Sequence, residues 1–321
     1  MRRILWLAII VAIGIAAALM IGDARELPDR LGGFGWWAFA AAIGLSLVNY
    51  TVRFIRWQIY LAYQQVRVPV GSSALVFGAG LSLAITPAKL GELVKSYLLR
   101  EMHDVPAIQT APVVVAERVT DLIALLAVAV IGVAAFGVEP LLVIIAGGVI
   151  GFGLLMLAWP RPARALIDLV TTPRFARRFR TPMQEMYGGL ASLCRPKLLG
   201  IATAIAIPSW ACECIGFALI VNAFPGAHVE VGLAMVIYAA STIAGALSFL
   251  PGGLGVTEGG MAILLVQSGH VDQAVALAAT LLIRLATLWF GVLLGVVLLA
   301  FARAKIARRG NSEATAQAPR T

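Results

Sequence analysis

Six stretches of this chain are apolar for long enough to cross a lipid bilayer: about 4–21, 36–52, 112–136, 141–159, 198–220 and 273–300. A crossing takes about 20 residues of helix. Composition agrees, since the chain is 60% hydrophobic and only 13% charged, against roughly 25% charged residues in a soluble protein. The expected fold is all-α, a polytopic membrane bundle. The run at 4–21 resembles a signal peptide, but it is longer than the usual h-region of about 7 to 15 residues and no clear cleavage site follows, so it is read as a retained span. Trp36 and Trp37 open the second span, where a membrane interface suits them.

The formal net charge of +9 does not point to nucleic acid. The basic residues flank the apolar runs, as in the positive-inside pattern. Placing both termini in the cytoplasm puts 20 of the 25 Lys and Arg residues inside. This predicts a multi-pass protein of the inner (plasma) membrane. Residues 1–309 form one transmembrane domain and 310–321 a disordered tail. The basic segment 160–197, with its run PRFARRFR, is read first as a cytoplasmic topology determinant and second as a contact for anionic headgroups. RFIRWQIYLAYQQVR is read as a loop, with Arg53, Arg56, Trp57 and Tyr60 anchoring it at the interface. Cys194, Cys212 and Cys214 are expected to be packing residues rather than a disulfide framework. His103, His228 and His270 fall in expected loops. No metal site and no cofactor are expected.

Two further apolar regions are broken. One splits into about 73–85 and 90–99 around Thr86-Pro87-Ala88-Lys89. The other, 232–250, runs into LSFLPGGLGVTEGG, with a short piece at 257–269 after it. The pieces 73–85, 90–99 and 257–269 are too short to cross, and both regions are read as re-entrant hairpins. They match as P-x-x-L-G: Pro87 to Gly91, and Pro251 to Gly255. Glu92 follows the first and Glu258 the second, and Arg118 and Arg284 come 26 residues after those glutamates. Asn49 and Glu213 occupy a weaker matching position 38 residues before each proline. The expected architecture is therefore six full spans plus two broken helices in an inverted repeat, with halves at about 36–136 and 198–300. Interrupted segments at corresponding positions of two halves point to a transporter's binding site.

Irregular backbone at membrane depth is tolerated only where it is buried in protein or lines a cavity. Thr86 followed by Pro87 reads as an N-cap and first helical residue, and Thr257 as a cap for the second half-helix. Helix ends exposing Gly252, Gly253 and Gly255 N–H groups would attract an anion. Arg118 and Arg284 must face the interior, with Glu92, Glu117, Asp121 and Glu258 as partners; Arg118 is expected to point away from the face shared by Glu117 and Asp121. Two readings are open. The arginines and Lys89 hold a phosphate-bearing group while the carboxylates balance charge or carry protons, or the charges only fix the fold. Glu213 is either an extension of the polar path or a structural acid.

NYTVRFIRW, TPAKLGELVKSYLLR, AERVTDLIALL and FLPGGLGVTEGG, in this order, resemble the membrane domain of lysylphosphatidylglycerol synthases and the wider flippase-like family, over about 5–300. The resemblance implies an all-helical lipid-translocating unit. In full-length synthases that unit moves aminoacylated phosphatidylglycerol between leaflets, and a separate cytosolic domain attaches the amino acid. Here the chain ends about 20 residues after its last span, so no such domain and no enzyme activity are expected. Carried over by motif are Pro87, Lys89, Gly91, Glu92, Glu117, Arg118, Asp121, Pro251, Gly252, Gly253, Gly255, Thr257, Glu258 and Arg284. The leading expectation is a flippase for a lipid with an anionic headgroup. The alternatives are a membrane enzyme or subunit acting on lipid-linked sugar or isoprenoid phosphate, and an ion-coupled carrier of a small organic anion. The lipid, the direction, the energy source and the oligomeric state are not set by sequence.

Overall fold

The computed structural model describes residues 31–136 and 177–317, with isolated positions between them. The expected spans at 4–21 and 141–159, and most of 160–176, lie outside the described residues. What is described is helical, with no strand.

Helix α1 (Trp36–Tyr63) begins at the exposed pair Trp36 and Trp37. It runs past the expected end of its span, so RFIRWQIY is not an interfacial loop. The reason is helical spacing. Asn49, Arg53, Arg56, Trp57 and Tyr60 recur at i, i+4, i+7, i+8 and i+11, on one face. All five are buried, so this stripe points into the protein and does not anchor a loop at the interface.

Helix α2 (Val70–Leu81) leads through a turn to a 3-10 segment, Pro87–Leu93, and α3 (Val94–His103). His103 thus closes a helix, while His228 and His270 lie in connections. Helix α4 (Ala107–Phe136) follows, and α5 (Arg180–Leu193) packs along it. The second series repeats the order of the first. It has a long helix, α6 (Pro196–Asn222), and a short one, α7 (Val231–Leu247). A 3-10 turn at Pro251–Gly253 comes next, then a short helix, α8 (Val256–Gln267). It ends in a long helical rod made of α9 (Gln273–Arg284), a π turn (Leu285–Trp289) and α10 (Phe290–Gln317). Ala107 and Gln273 open the last helix of each series at the same distance from Glu92 and Glu258.

Three described helices are long and apolar enough to cross a membrane: Trp36–Tyr63, Pro196–Asn222 and Gln273–Arg308. At 1.5 Å per residue, α2 and α8 reach only about 18 Å, short of a hydrocarbon core of about 30 Å. α10 continues helical to Gln317, where a disordered tail was expected from Gly310. Extending an existing helix costs far less than nucleating one, and Glu313, Ala314 and Ala316 are good helix formers.

The two series hold each other through equivalent elements. α1 packs on α6, where Asn49 Nδ2 donates to the Ser209 carbonyl at 2.9 Å and Ser209 Oγ donates to the Asn49 carbonyl at 3.3 Å. One core joins α6, α7 and α9 around Phe217, Tyr238 and Ile283; Cys214 is buried within it. A second surrounds Trp57, Tyr60 and Leu99. Leu293, Val297 and Phe301 leave an exposed apolar stripe on α10, suited to lipid.

Small residues let α10 lie against α2, as in many membrane helix pairs. A Cβ at Gly295 would clash with the Ser82 backbone nitrogen, whereas one at Gly44 would meet nothing within 4 Å. Gly295→Ala should therefore cost about 1–3 kcal/mol through overpacking, and Gly44→Ala should add up to about 1 kcal/mol through helix propensity. Thermal unfolding in detergent, followed by a thiol-reactive dye, should show opposite shifts for the two variants.

Candidate functional site

The two helix breaks meet. The 3-10 segment at Pro87 packs on the 3-10 turn at Pro251, and Ile85 and Leu254 form a small apolar plug with Leu288 and Trp289. Only a residue without a side chain fits at Gly252, because a Cβ there would lie 3.2 Å from Ile85 Cγ1 and its φ is +61°. Lys89 adopts φ +55°, a conformation uncommon outside glycine and often found where structure serves a site.

Beside this junction is a cavity of about 230 Å³. Thr86, Lys89, Arg118, Asp121, Gly252, Gly253, Thr257 and Arg284 all line it. These residues come from the first break, α4, the second break, α8 and α9, so the structure brings together most of the binding residues expected from sequence. Leu247, Phe249 and Leu250 line the cavity as well and are exposed, which makes its rim apolar. Lys89 Nζ stands 5.7 Å from the centre of the Trp210 ring, a cation–π contact, and makes no ion pair with a described residue.

The remaining charges are paired behind the cavity wall. Glu92, 1% exposed, gathers Lys95 at 3.0 Å, Arg118 at 3.3 Å and Arg53 at 3.7 Å. Asp121 takes Arg56 at 2.7 Å and Arg118 at 3.2 Å, and Trp210 Nε1 donates to it at 3.2 Å. Arg118 therefore does not turn away from Asp121, because residues three apart are neighbours on a helix surface. Glu117 meets neither arginine of the motif; its partner is Lys95 at 2.6 Å. Arg284 Nε reaches Glu258 at 2.6 Å, and its Nη2 donates to the Gly252 carbonyl at 2.8 Å. The repeat-matched pairs Glu92–Arg118 and Glu258–Arg284 thus both form, each across 26 residues.

The helix ends differ from expectation. Thr86 precedes Pro87 as the N-cap, but its hydroxyl accepts from Gly91 N–H at 2.6 Å, drawing the turn around Gly91. In the second break the cap position is Gly255, not Thr257, and the Glu258 carboxylate accepts from Gly255 N–H at 2.7 Å. A carboxylate at N3 completes its own helix start. Thr257 instead packs against Gly245, where a Cβ would clash with its hydroxyl. Protein groups already occupy the Gly91, Gly253 and Gly255 N–H donors, so the cavity's attraction for an anion rests chiefly on side-chain cations, with Lys89 foremost.

Behind Lys89 a smaller polar annex of about 50 Å³ is lined by Tyr50, Arg53, Glu213, Tyr238, Thr242 and Thr287, and it shares Lys89, Trp210 and Arg284 with the main cavity. Arg53 Nε is buried there without a hydrogen-bond partner. Sequence reading did not single out Lys95, Trp210, Tyr238 or Thr242. Lys95 carried a usable signal, being one helical turn from Glu92; Trp210 and Tyr238 lie within apolar runs and carried none. Among the described residues, no three His, Cys, Asp or Glu side chains are placed to hold a metal ion.

Removing one partner of a buried pair leaves the other charge uncompensated. Glu258→Ala should lower stability by about 3 kcal/mol. The double variant Glu258→Ala/Arg284→Ala should recover part of that loss, as read from thermal melts of the purified protein.

The model of the lysylphosphatidylglycerol synthase TM region matches residues 5–295. A UPF0104 membrane protein of Methanothermobacter thermautotrophicus is 30% identical over 124 residues, which is 38% of this chain and 36% of that protein. A second match to a UPF0104 membrane protein of the same organism is 29% identical over 127 residues, 40% and 37% of the two lengths. The aligned stretch thus spans little more than a third of these relatives. With the family model covering most of its length, this chain is a membrane protein that belongs to the lysylphosphatidylglycerol synthase TM region family.

Proposed function

We propose that the protein is a transporter rather than an enzyme, moving a lipid with an anionic, phosphate-bearing headgroup between the leaflets of the plasma membrane. The observation that carries this reading is the cavity at the meeting of the two breaks. It has three basic side chains on its wall and an exposed apolar rim. A headgroup phosphate would lie against Lys89, with Arg118 and Arg284 presenting their remaining N–H groups. Arginine's planar fork suits phosphate oxygens. The acyl chains would leave past Leu247, Phe249 and Leu250 into lipid.

The repeated order of elements and the paired Glu–Arg contacts support two halves of opposite orientation. In this arrangement the first hairpin enters from the cytoplasm and the second from outside, with six full crossings and both termini inside. Rocking of one half against the other would expose the cavity to each leaflet in turn, as in other repeat-built transporters. The family's description by a lipid synthase's membrane region supports a lipid as the partner.

The test is leaflet exchange of a fluorescent phosphatidylglycerol in reconstituted vesicles, read by a membrane-impermeant quencher. Lys89 makes no described ion pair, so Lys89→Ala should fold normally. It should slow exchange roughly tenfold, the worth of one charge-assisted contact. Exchange no faster than in protein-free vesicles, or equal in wild type and Lys89→Ala, would refute the reading.

A further inference from the structure

Glu213 is set apart from every other acid in the buried cluster. Glu92, Glu117, Asp121 and Glu258 each have a cation within 3.0 Å. Glu213, 7% exposed in the middle of α6, makes no ion pair with a described residue. Its Oε2 accepts a hydrogen bond from Tyr238 Oη at 2.6 Å. Lys89 is its counterpart among the bases, and both line the same annex. The charged and titratable groups around Glu213 come from every neighbouring element. They are Tyr50 and Arg53 from α1, Lys89 from the first break, Tyr238 from α7 and Arg284 from α9. Cys212 and Cys214 flank it on α6 itself.

Lys89, Trp210, Thr242, Arg284 and Leu288 line both the annex and the headgroup cavity. An anion arriving at Lys89 therefore comes close to a buried carboxylate that has no close cation of its own. In a medium of low effective dielectric their repulsion is strong. Protonating Glu213 removes it, and the basic residues of the cluster then gain in excess over the acids. Anion affinity must rise when Glu213 is neutral, and linkage requires that anion binding in turn favour its protonation.

We infer that Glu213 is a proton-binding site coupled to occupancy of the cavity, so that headgroup binding takes up one proton. The proton adds to a carboxylate oxygen of Glu213 and leaves when the anion does. Transport of an anionic headgroup would then be driven by a proton gradient. This rests on the anionic-headgroup reading above, which Glu213 refines by supplying the coupling.

The test uses the full chain in phosphatidylcholine nanodiscs with dihexanoyl phosphatidylglycerol as probe, a phosphodiester that keeps one negative charge over the range examined. Wild type should bind it roughly tenfold more tightly at about pH 5 than at about pH 8. Glu213→Gln, permanently neutral, should bind tightly at both. Tyr238→Phe removes the donor that favours the ionised form, so its pH dependence should persist with a midpoint at higher pH. Binding by wild type that does not vary with pH overturns the inference while leaving the headgroup reading standing. A pH dependence that survives in Glu213→Gln assigns the titration to Lys89 and also overturns it. Should Glu213→Gln not fold, an unmoved midpoint in Tyr238→Phe is decisive against it. Absence of binding at either pH refutes the headgroup reading and the inference with it.

Discussion

A guanidinium buried in an apolar bundle is costly unless a carboxylate lies beside it, and the carboxylate needs further donors of its own. Arg284 meets both halves of this condition at once. Its Nε holds Glu258, and its Nη2 takes the carbonyl of Gly252, inside the second break. Glu258 in turn satisfies the N–H of Gly255. One ion pair therefore closes open backbone on either side of a helix interruption. In the first series Glu92 lies within the break itself and draws in Arg53, Lys95 and Arg118. Each break is thereby tied to the long helix that follows it, and the two ties have the same chain separation.

This arrangement determines what remains for a ligand. The paired charges form a wall, and among the described residues their mutual contacts leave Lys89 and Glu213 without an ion-pair partner. Leu288, in the π turn after Arg284, lines the cavity and packs against the Ile85–Leu254 plug. A π turn loosens the regular hydrogen-bond ladder and is frequent at functional sites. Here Tyr50 Oη donates to the Thr287 carbonyl at 2.6 Å, tying α1 to the irregular stretch. The plug, the π turn and the left-handed residues of the breaks lie together, so any motion that opens the cavity would be concentrated there.

Much of this was legible along the chain. The breaks at Pro87 and Pro251 were, because proline and glycine interrupt helices through local sterics. Glu92–Arg118 and Glu258–Arg284 were visible as equal spacings. The stripe Asn49–Arg53–Arg56–Trp57–Tyr60 was available too, but basic and aromatic residues after an apolar run look the same whether they anchor at an interface or turn inward. Glu117 and Thr257 were assigned to the wrong neighbours, since a spacing names a helix face without naming what packs on it. The tail beyond Gly310 was misread because its polar composition was weighed without the long helix it extends.

Apolar run length, break position and the placement of charges are properties of short windows, set by hydrophobicity and backbone sterics, and the linear pattern carries them in full. Which base meets which acid is a property of helix rotation and packing between segments far apart in the chain. Lys95 with Glu117, Arg56 with Asp121 and Tyr238 with Glu213 are brought within hydrogen-bond reach only when α1, α3, α4, α6 and α7 pack. Until they do, no local preference distinguishes these partners from the alternatives, and neither the free amine of Lys89 nor the cavity it faces exists.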